Sequence, residues 1–278
     1  MGSRFFRYRY ILTMRALIRD LFLRVAGTFR KITPGIHIIN SHFVTPHRVD
    51  IRLDYQIFEK FLKNLQKHGK LISVSHATES LASGNIPTNE TLIALTFDDG
   101  FEECYTIIAP LLEKYGCKGA FFINANYIDS DENYQEAFNN RIATFTKKPM
   151  SWQQVVDLHN RGHIIGSHNL DHLNFSELSR EEINFQLKKN KEILEEKLQY
   201  DCEYFAWTYG QFIHFPEHAL IETQKLHKYI FSGTDYKNYF SFAGAVINRR
   251  HLEANWKCSH VRFFLSCKKQ LSNFKNNF

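Results

Sequence analysis

Short apolar runs of strand length alternate with longer stretches of helical period along most of this chain. Ile36-His37-Ile38-Ile39 predicts a buried strand. Phe58, Phe61, Leu62 and Leu65 recur at helical spacing, which predicts a helix over 58–68 that stops near Gly69. Thr91 to Phe97 is a mostly apolar run that ends on the turn signal Asp98-Asp99-Gly100. A helix over Cys104 to Tyr115, closed by Gly116, leads to a second buried strand over Lys118 to Asn124. Trp152 to Asn160 reads as a helix, followed by Gly162 and the strand His163 to Gly166. Arg180 to Leu198 is a long charged helix, and Tyr204 to Trp207 is one more strand.

Strand and helix in alternation, with strands apolar on both faces, imply an α/β fold in which helices cover a mostly parallel sheet. In such folds functional side chains gather where strands end. Three polar clusters stand at such ends: Asp98-Asp99, His168 with His172, and Tyr209-Gly210. No repeat, low-complexity stretch or linker interrupts the pattern. The simplest parse is a basic amphipathic helix over 1–32 and one domain over 33–278.

Composition narrows this picture in three places. At 278 residues and 44% hydrophobic, the chain can fill one large core. The net charge of +6 is mild, and no basic cluster interleaved with aromatics predicts nucleic-acid binding. The five cysteines are widely spaced without a C-x-x-C, so neither a disulfide framework nor a thiolate zinc site is expected, and a reducing, cytoplasmic setting fits. Charge is concentrated at the start, where Arg4, Arg7, Arg9, Arg15, Arg19, Arg24 and Arg30 fall. They interrupt every apolar run there, which argues against a secretory segment or a membrane span. Leu17, Leu21 and Val25 recur between them at helical spacing, as in a helix lying on an anionic membrane surface; a terminal helix packed on the domain has the same pattern.

The polar clusters suggest a chemistry. Two imidazoles and a carboxylate suit Zn²⁺ or another divalent metal with positions left for water. Adjacent carboxylates point in different directions, so one can bind the cation while the other acts as a base. An Asp-Asp-Gly alone is commonly a turn, and an H-x-x-x-H pair alone is commonly incidental. Together, in this order and at strand ends, they are far more specific.

Thr96-Phe97-Asp98-Asp99-Gly100 and Ser167-His168-Asn169-Leu170-Asp171-His172 resemble the first two motifs of the polysaccharide deacetylases with the NodB homology domain (carbohydrate esterase family 4). The likeness runs from about Ile36 to about Trp256; Asn169 stands where Ser or Thr is usual. It implies a distorted, incomplete (β/α) barrel. It also implies Asp98 as general base, Asp99, His168 and His172 as metal ligands, and an acetylated amino-sugar glycan as substrate. A lipid-linked glycan becomes a reasonable substrate if the first helix touches a membrane. Ester cleavage, deformylation, or a catalytically inactive carbohydrate-binding domain stay open as alternatives.

The remaining motifs depart from the family pattern. Phe205-Ala206-Trp207-Thr208-Tyr209-Gly210 carries Trp for Tyr and Thr for Pro. By position, the Tyr209 N–H would help stabilise an oxyanion. The arginine that usually pairs with the base is absent from its place, and Arg249 or Arg250 is the substitute. His251 is the candidate general acid, in Asn248-Arg249-Arg250-His251-Leu252-Glu253. His42 follows the first strand and could face the site. Trp152 and Trp207 could stack on a sugar, although Trp152 suits a helix anchor better.

Overall fold

The apolar runs become the strands of one ten-stranded sheet. The computed structural model of the chain describes residues 2–46, 50–142 and 147–271. Residues 2–13 are described by their backbone alone, so the side chains of Arg4, Arg7 and Arg9 lie outside the described residues. The strands are β1 (Gly35–Ser41), β2 (Lys70–Leu71), β3 (Thr91–Phe97), β4 (Ala120–Ile123), β5 (Ile164–Ser167), β6 (Tyr204–Ala206), β7 (Tyr229–Ser232), β8 (Phe240–Ser241), β9 (Val246–Asn248) and β10 (Arg250–His251). Across the sheet the order is β10-β1-β3-β4-β5-β6-β7-β9-β8, with β2 on β3. Every pairing is parallel except that of β8 with β9.

The stretch 246–251 ties the two ends of this order together. Its first half pairs with β7, Ser232 opposite Asn248, and its second half pairs with β1, Ile39 opposite Arg250. Arg249 is the single residue between the two pairings and marks the seam of a distorted, incomplete barrel, as expected. Alternation along each strand separates two cores. Ile93, Leu95, Phe97, Phe121 and Ile123 face the outer helices. Ile36, Ile38, Ala94, Ala120, Phe122 and Phe231 face inward. Gly166 on β5 has no room for a side chain, because a Cβ there would stand 2.6 Å from the Phe122 ring.

The helices are α1 (Gly2–Phe29), α2 (Ile51–Gln66), α3 (Val74–Ala82), α4 (Ala109–Lys114), α5 (Glu132–Arg141), α6 (Trp152–Asn160), α7 (Arg180–Leu198), α8 (Glu217–Leu226) and α9 (Cys258–Leu265). α6 and α7 keep their expected bounds because each opens on a capping box, Ser151 with Gln154 and Ser179 with Glu182. α2 begins earlier than its apolar period, since Asp50 caps it by accepting from the Arg52 N–H at 2.7 Å. The helix expected over 104–115 is a π turn, Cys104–Ile108, followed by α4. Pro110 has no N–H to donate, and the bonding there shifts to Ala109 N–H on the Cys104 carbonyl. β7 to β10, α3, α5, α8 and α9 are too short or too irregular in period to stand out from sequence.

Candidate metal centre and its surroundings

Parallel pairing sends the residues after β1, β3, β5, β6, β7 and β10 to one end of the barrel. There they line a cavity of about 420 Å³ that holds Asp98, Asp99, His168, His172, Tyr209 and His251. The turn after β3 carries Asp99 at φ 74°, a left-handed conformation that a non-glycine residue adopts only when its surroundings hold it. Asn169 and His172 are left-handed too, at 54° and 55°. Asn tolerates that region better than the Ser or Thr usual in the motif.

Asp99, His168 and His172 meet as expected. Asp99 Oδ1 lies 3.4 Å from His168 Nε2 and 3.3 Å from His172 Nε2. Ligands ~2.0–2.1 Å from a tetrahedral Zn²⁺ stand about 3.3–3.4 Å apart, so the spacing is that of ligands around a cation. Asp99 Oδ1 is buried with no hydrogen-bond partner among the described residues, a costly state that a bound cation would relieve. The His168 Nδ1–H donates to the Ala206 carbonyl at 2.6 Å, which leaves the Nε2 lone pair facing Asp99 and His172. Burial pushes the pKa of His172 down in spite of Asp99, so its imidazole is held neutral. The donor set therefore fits a divalent transition metal.

The loop between the histidines is pinned from three sides. Asp171 accepts from Asn126 and from Tyr134 on α5, both through Oδ1 at 2.8 and 2.6 Å, and from Gln186 on α7 through Oδ2 at 2.7 Å. Asn124 Nδ2 donates to the His168 and Asn169 carbonyls at 2.5 and 3.0 Å. Thr208, which replaces the usual Pro, donates to the Leu173 carbonyl at 2.6 Å. A hydrogen bond thus holds the 207–210 loop to the histidine loop where a fixed proline φ is absent. Tyr209 is left-handed at φ 61°, its ring packs 5.0 Å from that of His172, and its N–H has no partner among the described residues.

Asp98 is buried and clamped by Arg249, Nη1 to Oδ1 at 2.7 Å and Nη2 to Oδ2 at 2.8 Å. Arg249 also donates to Thr96 Oγ1 at 3.0 Å and to the Ser232 carbonyl at 2.9 Å, and sits over the Phe122 ring. Burial alone would raise the pKa of Asp98; the Arg249 guanidinium foremost, with His168 and His42, outweighs it and holds the carboxyl below its ordinary value. Of the two arginines named from sequence, Arg249 is the partner. Arg250 alternates to the other face and lies over Phe264 at 4.0 Å.

A second cluster stands across the cavity. Glu253 Oε1 lies 2.8 Å from His42 Nδ1 and 2.9 Å from His251 Nε2, while Oε2 accepts from Ser41 Oγ at 2.5 Å. These are hydrogen-bond lengths, shorter than the ligand spacing around Asp99. Burial lowers the basicity of His42, but its bond to Glu253 and the nearby Asp99 and Asp98 prevail and raise its pKa to about 9. Burial pushes Glu253 up, yet His251 and His42 hold it well below the usual carboxylate range. Sequence reasoning missed Glu253. The available signal was its i, i+2 spacing from His251, which puts both on one face of an extended chain.

The two tryptophans do not serve as free sugar platforms. Trp207 reaches the cavity wall but is 1% exposed, its face covered by Phe215 at 4.2 Å. Trp152 packs against the outer core, as a helix anchor. Trp256, stacked 5.8 Å from His251, is the half-buried indole on the cavity.

A polysaccharide deacetylase family model matches residues 85–226, just over half of the chain. The peptidoglycan-N-acetylglucosamine deacetylase of Bacillus cereus is 28% identical over 128 residues, covering 46% of this chain and 39% of that one. The chain spans about half the length, or less, of the curated relatives it matches. Among solved structures, IcaB from Ammonifex degensii superposes with a TM-score of 0.66 at 18% identity, over 85% of this chain and 99% of that one. The Streptococcus pyogenes deacetylase PplD superposes with a TM-score of 0.62 at 15% identity, over 84% and 99%. The barrel with its sequence-adjacent carboxylates and paired histidines, and a family model matching across half its length, make this chain a member of the polysaccharide deacetylase family.

Proposed function

We propose that this protein hydrolyses the amide of an N-acyl amino-sugar glycan, N-acetyl foremost, with a divalent cation held by Asp99, His168 and His172. The observation that carries the reading is Asp98, ionised and fixed by Arg249 directly beside that three-ligand cluster. When bound, Zn²⁺ or a similar cation would polarise the acyl carbonyl and lower the pKa of water. Asp98 takes the proton of the attacking water; each of its oxygens keeps a lone pair beyond the one given to Arg249. The Tyr209 N–H donates to the oxygen on which negative charge develops. The leaving nitrogen takes its proton from the imidazoles on Glu253. His251 was the sequence candidate, and His42, charged at neutral pH and nearer full burial, is the principal donor. A glycan still on its lipid carrier would reach the cavity of an enzyme held at a membrane by α1. The five cysteines are unpaired, in keeping with the cytoplasmic setting we propose.

The reading is tested by acetate release from N-acetylglucosamine oligomers by zinc-loaded protein. Release that stops on chelation and returns with metal is expected. Release only from O-acetylated or formylated sugars would replace the substrate, and none from any of them would end the enzyme reading.

The His42–Glu253 pair also sets a pH dependence. Without a cation the pKa of His42 is about 9, raised against burial chiefly by Glu253 and in part by Asp99 and Asp98. A cation on Asp99 would offset the latter part, so kcat/KM of the metal-loaded enzyme is expected to fall as pH rises through a value between the ordinary imidazole pKa and about 9. His42→Ala should lower kcat by about a hundredfold or more and remove that alkaline limb. An unchanged alkaline limb in His42→Ala would assign the proton to another group.

A further inference from the structure

α1 is fixed to the domain by one face and leaves the opposite face uncovered. Asp20 bonds Lys257 at 2.7 and 2.8 Å, Leu23 is buried, and the Gly27 carbonyl accepts from Arg262 at 3.0 Å. Gly27 permits this approach to α9, since a Cβ there would stand 1.8 Å from the Ser259 carbonyl oxygen. On the outward side Leu17, Ile18, Leu21, Val25 and Phe29 are between 55% and 83% exposed, while Phe22 borders α9 with its ring 5.6 Å from that of Phe263. At 3.6 residues per turn these five outward residues fall within an arc of about 120°, opposite the face that meets α9. Exposed Arg24 borders one edge of the arc, and exposed Arg15 and Arg19 the other.

We propose that this face of α1 docks on an anionic lipid bilayer. Hydrophobic side chains pointing outward in a continuous arc, with arginines along both borders, match acyl chains below and phosphates beside them. Asp20, the only acidic residue of α1, is turned away to α9. A second copy of this chain is a poorer occupant, because arginine borders would meet arginine borders with no carboxylate between them. No helix among the described residues is long and apolar enough to cross a membrane, so the contact lies along the surface. The docking does not depend on the proposed reaction.

The test is co-sedimentation of the full chain with phosphatidylcholine vesicles, with and without about 30 mol% phosphatidylglycerol, at low and high salt. Binding to the anionic vesicles, weakened by salt, is expected. L21E/V25E and R15E/R24E should each weaken it by about tenfold or more while melting like wild type, because all four side chains are exposed. Undiminished binding by both folded variants would overturn the proposal. So would no binding by wild type, or a wild-type dimer that L21E/V25E converts to monomer.

Discussion

Asp98→Asn is expected to lower kcat by about a hundredfold to ten-thousandfold while the protein still takes up its cation. The loss is that of a base, because Asp99 and both histidines are untouched. The variant should also melt lower. Arg249 is 1% exposed and would face a neutral amide, and leaving one member of a buried ion pair uncompensated costs about 3–5 kcal/mol. Steady-state rates taken well below the melting temperature, with metal content measured on the same sample, separate the two effects. Wild-type turnover by a metal-replete Asp98→Asn protein would remove Asp98 from the reaction.

Arg249→Met reverses the electrostatics of the same pair, and its effect should be equally large. With Arg249 present, the folded pKa of Asp98 is depressed. That contribution to stability exists above the unfolded pKa, near 4, and is lost as pH falls through the folded value. Without the guanidinium, burial dominates and the folded pKa rises. The carboxyl then folds protonated, and its contribution is present below the unfolded pKa and lost as pH rises through the new folded pKa. Urea unfolding of metal-free protein should therefore show the difference between wild type and Arg249→Met widening from about pH 4 to pH 7. Activity at neutral pH should fall with it, since a protonated Asp98 cannot take a proton. A gap that does not change with pH would mean that Arg249 acts through packing alone.

Sequence showed the parts of this site that obey local rules and hid the parts that depend on the barrel. Asp98, Asp99, His168 and His172 could be named because each follows a recognisable strand, and parallel pairing delivers strand ends to one place. Arg249 could be named only as one of two neighbours. What distinguishes it is the inward face of the seam between β9 and β10, and strands this short carry no clear period. Glu253 was hidden because its partners, His42 and Ser41, lie more than 200 positions away and meet it only through the pairing of β1 with β10. Trp207 misled for the opposite reason. As an aromatic within the third motif it could stack on a sugar, whereas Phe215 covers its face. Helix bounds held where a capping box was present, at α6 and α7, and shifted where Asp50 or Pro110 set them.

Anomalous diffraction from crystals grown with zinc reads out whether Asp99, His168 and His172 share a cation. One strong peak is expected about 2.0–2.2 Å from Asp99 Oδ1 and from both Nε2 atoms, with Asp98 outside its coordination sphere. A peak at Glu253 between His42 and His251, with none at Asp99, would place the metal elsewhere and leave Asp98 without its role.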